Sequence, residues 1–326
     1  MKCDNTKKVK VSIGIAAYNV EYYLRRCLDS VINQTLRDIE IIVVDDGSTD
    51  KTPQICDEYS ALDERVKVIH KQNGGLASAR QAALDVASGK YFCALDADDW
   101  VEFEMYEKMY LKAEITSADV TMCNYYVNYT EKGKEVECAI DSSLVDIDEI
   151  RDLSIKGKYP FMVWNKMFRR SLFVDNNIGW EPNINQGEDF LIFMKVLKCP
   201  VKIAYLQDFL YHYRKIYGSN SYTNNISIAS YQQLLHIREI LLDNNIFEKD
   251  SKEMFRLWAN LAFVGLRVKN GLSSKYYKDT SLVKVPFSCF IKYRMCSFKD
   301  MIVLLTKCTH YKVGHLLINL FYKYHY

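Results

Sequence analysis

Three carboxylates follow a short apolar run in the segment Tyr91–Trp100, which reads YFCALDADDW. Isolated carboxylates are costly to bury, so such a cluster requires water, a hydrogen-bond network or a cation. In an extended chain Asp96 and Asp98 lie on the same side, and Ala97 leaves room between them. That arrangement suits a hard divalent cation, which prefers oxygen ligands and can bridge to phosphates. An ordinary acidic turn after a strand is the alternative interpretation.

Polar residues also follow the three preceding strand-like runs, where side chains or backbone can meet a ligand. They are Tyr18 and Asn19, then Asp45 and Asp46, then Asn73 with Gly74 and Gly75. The predicted strands are Val9–Ile15, Ile39–Val44, Val66–Ile69 and Tyr91–Leu95, and the helices between them are Glu21–Gln34, Pro53–Leu62 and Leu76–Ala87. Strands separated by helices of this length predict a parallel sheet with right-handed crossovers. Ligands bind beyond the carboxyl ends of such strands, so we expect one composite site.

The middle of the chain is less regular. We predict a helix from Glu102 to about Ile115, a strand Val120–Val127 and a polar loop around Glu131–Glu137. A helix begins near Glu188, short strands cover Ile203–Leu206 and Phe209–Tyr213, and the pattern after Ile226 is mostly helical. We therefore expect two regions. The first is an α/β domain, 1–225, with a regularly alternating half 1–100 and a less regular half 101–225, and the second is a helical region, 226–326.

Charge and cysteine content limit the classes of protein to which the chain can belong. The 326 residues carry a net charge of +2, but 271–326 contain nine Lys or Arg against two Asp. Ten scattered cysteines without a CxxC pair, and no secretory signal, predict reduced thiols and a cytoplasmic location. The basic density is confined to the tail, which argues against nucleic-acid binding. The tail could contact an anionic surface or pack as a helical subdomain, and the sequence leaves both open.

The turn after the first strand excludes two common phosphate-binding loops. It reads AAYNVEYY, without the G-x-G-x-x-G of a dinucleotide site or the Lys-Ser/Thr of a P-loop. Phosphates would then be held through a metal on the aspartates. Tyr18 can offer its ring to a base, Asp46 can accept hydrogen bonds from a base or ribose, and Arg80 lies one turn into the third helix. A capped turn at Asp45–Ser48 and a surface ion pair at Arg80 are the alternatives.

A series of motifs in Val9–Ser221 resembles the family-2 inverting glycosyltransferases of the GT-A fold. It comprises VSIGIAAYNVEYYLRRCLDSVINQT, IEIIVVDDGSTDKT, QNGGLASARQAAL, GKYFCALDADDW, WNKMFRRSLF and GEDFLIF. The resemblance implies an α/β GT-A-like fold with a mainly parallel nucleotide-binding sheet and a C-terminal helical extension. It makes 1–225 the glycosyltransferase domain, with a nucleotide-sugar-binding half 1–100 and an acceptor half 101–225. It also implies sugar transfer from a nucleotide sugar, usually a UDP-sugar, with Mn²⁺ or Mg²⁺.

The same resemblance assigns roles by position. Tyr18 matches the base-stacking tyrosine, Asp46 the aspartate that binds uracil, and Arg80 the arginine beside the nucleotide. Asp96 and Asp98 match the D-x-D pair, with Asp98 as the closer metal ligand. Ala16 stands where the family usually has Pro, which loosens the turn but removes no chemical group. The expected nucleotide-sugar site comprises Ala16, Tyr18, Asn19, Asp45, Asp46, Gly74, Arg80, Asp96, Ala97, Asp98 and Arg214.

Glu188 and Asp189 match the family's E-D motif, and Asp189 is the expected catalytic base. A purely electrostatic role of both acids at a helix N-terminus is the alternative. His212 is a candidate third metal ligand beside Asp96 and Asp98, although a lone histidine at a strand edge is more often structural.

Trp164, Lys166 and Glu188 are candidates for the acceptor pocket, although a tryptophan in FMVW is more often part of a core. The sequence thus predicts a metal-dependent inverting glycosyltransferase, a hexosyl- or N-acetylhexosaminyltransferase. Its acceptor would be a growing polysaccharide or a lipid-linked glycan. A non-catalytic scaffold and a sugar nucleotidyltransferase are the alternatives, and the sequence does not indicate the oligomeric state.

Overall fold

The computed structural model describes residues 8–129, 134–215 and 227–248, together with 251, 253, 254 and 257. The described residues of 8–151 and 159–215 form one compact unit, and those of 152–158 with 227–257 form a second. The predicted boundary near residue 225 and the basic tail 271–326 lie outside the described residues. Within the described part of the chain, no helix is long and apolar enough to cross a membrane.

The first hundred residues form four parallel strands joined by helices. The strands are β1 (Val11–Ala17), β2 (Ile39–Asp45), β3 (Val66–His70) and β4 (Tyr91–Asp96), and the helices are α1 (Leu24–Ile32), α2 (Thr52–Leu62) and α3 (Leu76–Val86). Their spatial order is β3-β2-β1-β4, with every neighbouring pair parallel. All seven residues of β2 are buried, as expected of a strand covered on both faces. The predicted α/β arrangement of this half is confirmed.

The second half extends the same sheet with mixed strand directions. Its elements are β5 (Trp100–Val101), α4 (Met105–Thr116), β6 (Val120–Tyr129), β7 (Lys134–Cys138), α5 (Ile147–Ile155), β8 (Lys166–Arg169), α6 (Ser171–Asp175), α7 (Glu188–Lys198) and β9 (Ile203–Lys215). The sheet continues β4-β8-β6-β9-β5, and β7 pairs with β6. Only the β6–β9 pair is parallel among these described pairings. A further helix, α8 (Ile228–Asp243), belongs to the second unit.

Two local predictions were wrong, and one short strand was missed. The two short strands predicted between residues 203 and 213 are one strand, β9, whose register against β6 shifts near Asn124. The predicted polar loop contains β7, because alternating charged residues also suit an exposed edge strand. The two-residue β5 is too short to leave a pattern. Thr52 is the first residue of α2, and its Oγ1 accepts a hydrogen bond from the Val20 N–H.

Close packing of α3 on the sheet depends on a glycine in β1. A Cβ atom at Gly14 would lie 2.8 Å from the Ala83 Cβ and 2.9 Å from the Phe92 ring. Only glycine permits this approach between helix and strand without displacing its neighbours. The register of β1 then aligns the strand ends, because Ala16 pairs with Asp96 on one side and Ala17 with Asp45 on the other.

Candidate active site

The loops after β1 and β2 are tied together by side-chain to backbone hydrogen bonds. Asn19, with a left-handed φ of 51°, accepts a hydrogen bond at Oδ1 from the Thr49 N–H, and its own N–H donates to Ser48 Oγ. Asparagine tolerates this backbone conformation better than most residues. The adjacent Tyr18 is 50% exposed, so its ring is accessible to a ligand.

Asp46 is a buried carboxylate held by the loop after β3. It accepts hydrogen bonds from Lys71 Nζ at 2.6 Å, from the Gly74 N–H at 3.0 Å and from the Gly75 N–H at 2.7 Å. Gly75 has a φ of 85°, and a Cβ there would lie within 2.4 Å of the Asn185 side chain. The glycines therefore let the loop backbone bend around the carboxylate.

Asp45, beside Asp46, is bound by a histidine at the end of β3. His70 Nδ1 lies 2.9 Å from Asp45 Oδ2, and His70 Nε2 lies 3.1 Å from Asp57 Oδ1. The hydrogen bonds to Asp45 and Asp57 raise the pKa of His70. Consecutive acids at the end of β2 are therefore matched by consecutive bases, His70 and Lys71, at the end of β3.

The three aspartates after β4 occupy different environments. Asp99 is buried and accepts hydrogen bonds from the Tyr211 hydroxyl at 2.6 Å and the Arg214 N–H at 2.7 Å. Asp98 is bound by Arg214 Nη2 at 2.8 Å, whereas Asp96 is bound by Arg80 Nη2 at 2.7 Å. Burial, and then repulsion from Asp96, raises the pKa of Asp98. Asp99 thus has a structural role, and Asp96 and Asp98 form the acidic pair at the strand end.

Arg80 connects this acidic pair to the start of α7. Its guanidinium is 3% exposed, and Nη1 lies 2.6 Å from Asp189 Oδ1 and 3.1 Å from Glu188 Oε1. One buried cation therefore contacts three carboxylates from two sequence-distant segments. A surface ion pair, the alternative reading of Arg80, does not describe this geometry.

Electrostatics separate the two acids of the E-D pair. Burial and the adjacent Asp189 carboxylate raise the pKa of Glu188. Burial also raises the pKa of Asp189, but the Arg80 guanidinium opposes that rise. Although burial disfavours its charge, Arg80 has a raised pKa because Asp189, Asp96 and Glu188 surround it. Of the two acids, Asp189 lies closer to Arg80, so its carboxylate is stabilised more by the guanidinium charge.

His212 and Arg214 are neighbours in β9 with different surroundings. Arg214 contacts Asp98, and its guanidinium carbon lies 3.6 Å from the centre of the Tyr23 ring. The His212 ring is stacked between Trp100 and Tyr126 at centroid distances of 4.9 and 4.8 Å. Its Nε2 lies 2.8 Å from Glu102 and its Nδ1 lies 3.1 Å from Asn128. Both ring nitrogens of His212 are therefore engaged away from the aspartates, and its role as a metal ligand stays a prediction.

Trp164 and Lys166 lie deeper than the acceptor-pocket prediction anticipates. Trp164 is 5% exposed and stacks on Tyr211 at a centroid distance of 4.3 Å. The Lys166 side chain is fully buried. Glu188, the third acceptor-pocket candidate, stays beside Asp189 and Arg80.

Among the residues that the structure describes, no group of three or more His, Cys, Asp and Glu side chains is arranged to hold a metal ion. Asp96 and Asp98 nevertheless offer the carboxylate oxygens that Mg²⁺ and Mn²⁺ prefer, and each ion pair with arginine uses one oxygen. Mutual repulsion in the acidic pair would also be relieved by a cation. The donor set therefore fits a divalent ion that takes its other ligands from a bound phosphate and water.

Sequence reasoning missed three contributors to the site. They are His70, which contacts Asp45, and Lys71, which contacts Asp46. The third is Asn185, whose Oδ1 accepts a hydrogen bond from the Ala77 N–H at the start of α3 at 3.2 Å. The only available signal was the position of His70 and Lys71 at a strand end. Asn185 is 108 residues from Ala77 in the sequence, so no local pattern relates the two.

A profile of the family described as Glycosyl transferase family 2 matches residues 12–175. The chain is 34% identical over 208 residues to EpsH of Bacillus subtilis, which is named as a glycosyltransferase. That match covers 63% of this chain and 60% of EpsH, so the chain spans less than two thirds of this relative.

Two solved structures share the fold at lower identity. TarS residues 1–349 of S. aureus, in complex with UDP-GlcNAc, superpose with a TM-score of 0.72 at 22% identity, covering 96% of this chain and 91% of TarS. The mannosyltransferase PcManGT of Pyrobaculum calidifontis, in complex with GDP-Man and Mn²⁺, gives a TM-score of 0.53 at 14% identity, covering 96% and 88% of the two chains. These likenesses confirm the predicted GT-A-like α/β fold.

Proposed function

The chain belongs to glycosyl transferase family 2, and we propose that it moves a sugar from a nucleotide-sugar donor to a hydroxyl of a glycan acceptor, with inversion at the anomeric carbon. The observation that carries the proposal is the buried Arg80, which contacts Asp96 on one side and Glu188 with Asp189 on the other. A donor-side acid and an acceptor-side acid are thereby fixed in one site. Inverting transfer needs the acid that binds the donor and the acid that serves as base within reach of the same anomeric carbon.

On the donor side, the accessible Tyr18 ring would stack on the base, and Asp46 would orient the base or ribose from its rigid loop. Asp96 and Asp98 would hold Mn²⁺ or Mg²⁺, which stabilises the negative charge that develops on the departing diphosphate. Arg214 lies against Asp98, where a second positive charge can attract the diphosphate.

On the acceptor side, Asp189 would accept the proton of the attacking hydroxyl. The hydroxyl oxygen forms a bond to the anomeric carbon while the bond from that carbon to the diphosphate oxygen breaks, and the nucleoside diphosphate leaves from the opposite face. A carboxylate suffices as base because the hydroxyl becomes more acidic as it attacks. Arg80 supports this role because its charge opposes the rise in the pKa of Asp189 that burial causes.

The donor is best assigned as a UDP-sugar that carries a hexose or an N-acetylhexosamine. Support comes from the TarS complex with UDP-GlcNAc, although the PcManGT complex contains GDP-Man. The acceptor would be a growing polysaccharide or a lipid-linked glycan at the inner face of the cytoplasmic membrane. The basic residues of 271–326, outside the described part of the chain, would supply any contact with anionic lipid.

A thermal-shift panel of UDP- and GDP-sugars, with and without Mn²⁺, tests the donor assignment. A ligand at 100 times its Kd stabilises the native protein by about 2.7 kcal/mol, so the preferred donor should raise the Tm measurably. The Asp98→Asn variant should lose the Mn²⁺-dependent part of that shift. A wild-type protein unmoved by every nucleotide sugar would contradict the proposal.

The Asp189→Asn variant separates binding from catalysis. Because Asp189 lies on the acceptor side, the variant should bind the donor with wild-type Kd while release of nucleoside diphosphate falls by about 100-fold or more. Donor Kd is measured by calorimetry and product by chromatography. Unchanged turnover would reject Asp189 as the base, and an inert wild-type protein that still binds donor would favour a non-catalytic scaffold.

A further inference from the structure

Lys166, at the start of β8, is a fully buried lysine whose ammonium faces backbone oxygens rather than a surface or a pocket. Its Nζ donates to the Pro160 carbonyl at 3.0 Å, to the Met162 carbonyl and to Asn165 Oδ1 at 2.9 Å. An ammonium has three donors, and all three are used within one short segment. Lys166 therefore holds the loop 160–165 in a single shape.

That loop touches the predicted base. The Val163 N–H points at Asp189 Oδ2 over 3.4 Å, while Arg80 Nη1 binds the other oxygen, Oδ1, at 2.6 Å. The carboxylate of Asp189 is thus fixed from two sides. Loss of either contact would let it rotate away from the acceptor hydroxyl.

The loop is also fixed to the sheet and to the acidic cluster. Asn165 Nδ2 donates to the Cys123 carbonyl in β6 at 3.1 Å. Trp164 stacks on Tyr211, whose hydroxyl donates to Asp99 at 2.6 Å. A shift of the loop would therefore be felt on the donor side as well as at Asp189.

We propose that Lys166 is a positioning residue for catalysis, which holds the loop 160–165 so that the Val163 N–H orients Asp189 for proton removal. In this role Lys166 acts from within the fold through Asp189, and the acceptor-pocket role expected from the sequence stays a prediction. The inference rests on the proposed glycosyltransferase function and names a group that acts through Asp189.

The electrostatic environment of Lys166 agrees with this placement. Burial lowers the pKa of Lys166 to about 7, and the Asp189 carboxylate is the main group that opposes the fall. In turn, the charge of Lys166 opposes the rise in the pKa of Asp189 that burial causes. The two groups are thus close enough to affect each other, although no direct hydrogen bond joins them in the described structure.

The test compares Lys166→Met, which removes the ammonium, with Lys195→Met as a matched control. Lys195 Nζ also bonds a backbone carbonyl and a side chain, those of Gly179 and Glu181, away from the site. Donor Kd is measured by calorimetry with UDP-GlcNAc and Mn²⁺, and with the best donor of the panel if it differs. Turnover is measured as nucleoside-diphosphate release, with water and methyl glycosides as acceptors.

We expect Lys166→Met to bind donor within about threefold of wild type and to turn over about 100-fold more slowly, because small misplacement of a reacting group has effects of that size. Lys195→Met should keep both values within about threefold. Lys166→Arg, which retains a cation with N–H donors, should recover at least about tenfold of the lost rate. If Lys166→Met does not fold, Lys166→Gln replaces it with the same expectation.

A double-variant cycle excludes a merely structural role. If Lys166 acts through Asp189, then Lys166→Met in an Asp189→Asn background should lower turnover by no more than about threefold further. Equal losses in both backgrounds, or wild-type turnover of Lys166→Met, would overturn the inference while leaving the proposed function intact. Wild-type protein that releases no nucleoside diphosphate would overturn the proposed function, and the inference with it.

Discussion

Replacement of Arg80 by methionine tests the central feature of the site. In the native protein this guanidinium contacts Asp96, Glu188 and Asp189 at 2.7, 3.1 and 2.6 Å, and the three carboxylate side chains are between 11% and 23% exposed. Methionine fills similar volume but leaves three clustered acids without their shared cation. The variant therefore measures how much the free energy of unfolding falls when the three acids lose their shared cation.

We expect a loss of about 3 kcal/mol in the free energy of unfolding at pH 8. Removing one member of a buried ion pair typically costs about 3–5 kcal/mol, and the residual exposure of the acids favours the lower end. For a domain of this size the corresponding fall in Tm is about 6–12 °C. Burial already raises the pKa values of Glu188 and Asp189, and loss of Arg80 raises them further, so the deficit is smallest at low pH and grows as the pH rises.

The assay is urea unfolding of wild type and Arg80→Met between pH 5 and pH 8, followed by circular dichroism. Arg169→Met is the control, because Arg169 pairs with Asp119 alone among the described carboxylates and keeps 24% exposure. It should lose about 1–2 kcal/mol. An Arg80→Met variant within 1 kcal/mol of wild type at pH 8, or with a deficit that does not change with pH, would refute the reasoning.

Three further predictions concern stability and donor binding. Although burial opposes its charge, hydrogen bonds from Lys67, Ser12 and Ser88 lower the pKa of Glu40 to about 2. Its stabilising effect should therefore persist above pH 4.5 and fade towards pH 2, and urea titrations of Glu40→Gln should show a flatter acid limb. Hydrogen bonds to Asp45 and Asp57 raise the pKa of His70, and its positive charge at the strand ends is lost as the pH rises through that pKa. Because the donor is an anion, its affinity should fall over the same pH range, and calorimetry should show no such fall for His70→Asn. Gly75→Ala should weaken donor binding at least about tenfold in the same assay, since φ and the Asn185 contact both exclude a Cβ.

The fold of the first hundred residues, where strands and helices alternate, was predictable because local sequence patterns determine each element. Runs made largely of β-branched residues, such as Ile39–Val44 with its single Glu40, form strands buried on both faces, and the helices between them impose a parallel order. The strand ends therefore meet, whatever the details of the loops. The predicted and observed sheets agree in this half because the sequence pattern and the helical crossovers together allow only a parallel arrangement of these strands.

The second half depends on contacts that no local pattern records. The pairing of β5 with β9 joins Trp100 to His212, and a two-residue strand carries no periodicity. Likewise, the WNK segment looks like a pocket motif, but the depth of Lys166 follows from β8 lying between β4 and β6. Burial of a lysine is decided by tertiary packing, so its acceptors could not be read from the sequence.

The bonds between the first two loops have a thermodynamic consequence for ligand binding. Asn19 and Ser48 already fix the segment that presents Tyr18, before any ligand arrives. Little conformational entropy is then lost there on association, in contrast to sites whose loops order around their ligand. We expect the heat-capacity change of donor binding to reflect the area covered on the Tyr18 ring and little loop folding. Breaking the Asn19 link should make that heat-capacity change more negative while weakening affinity.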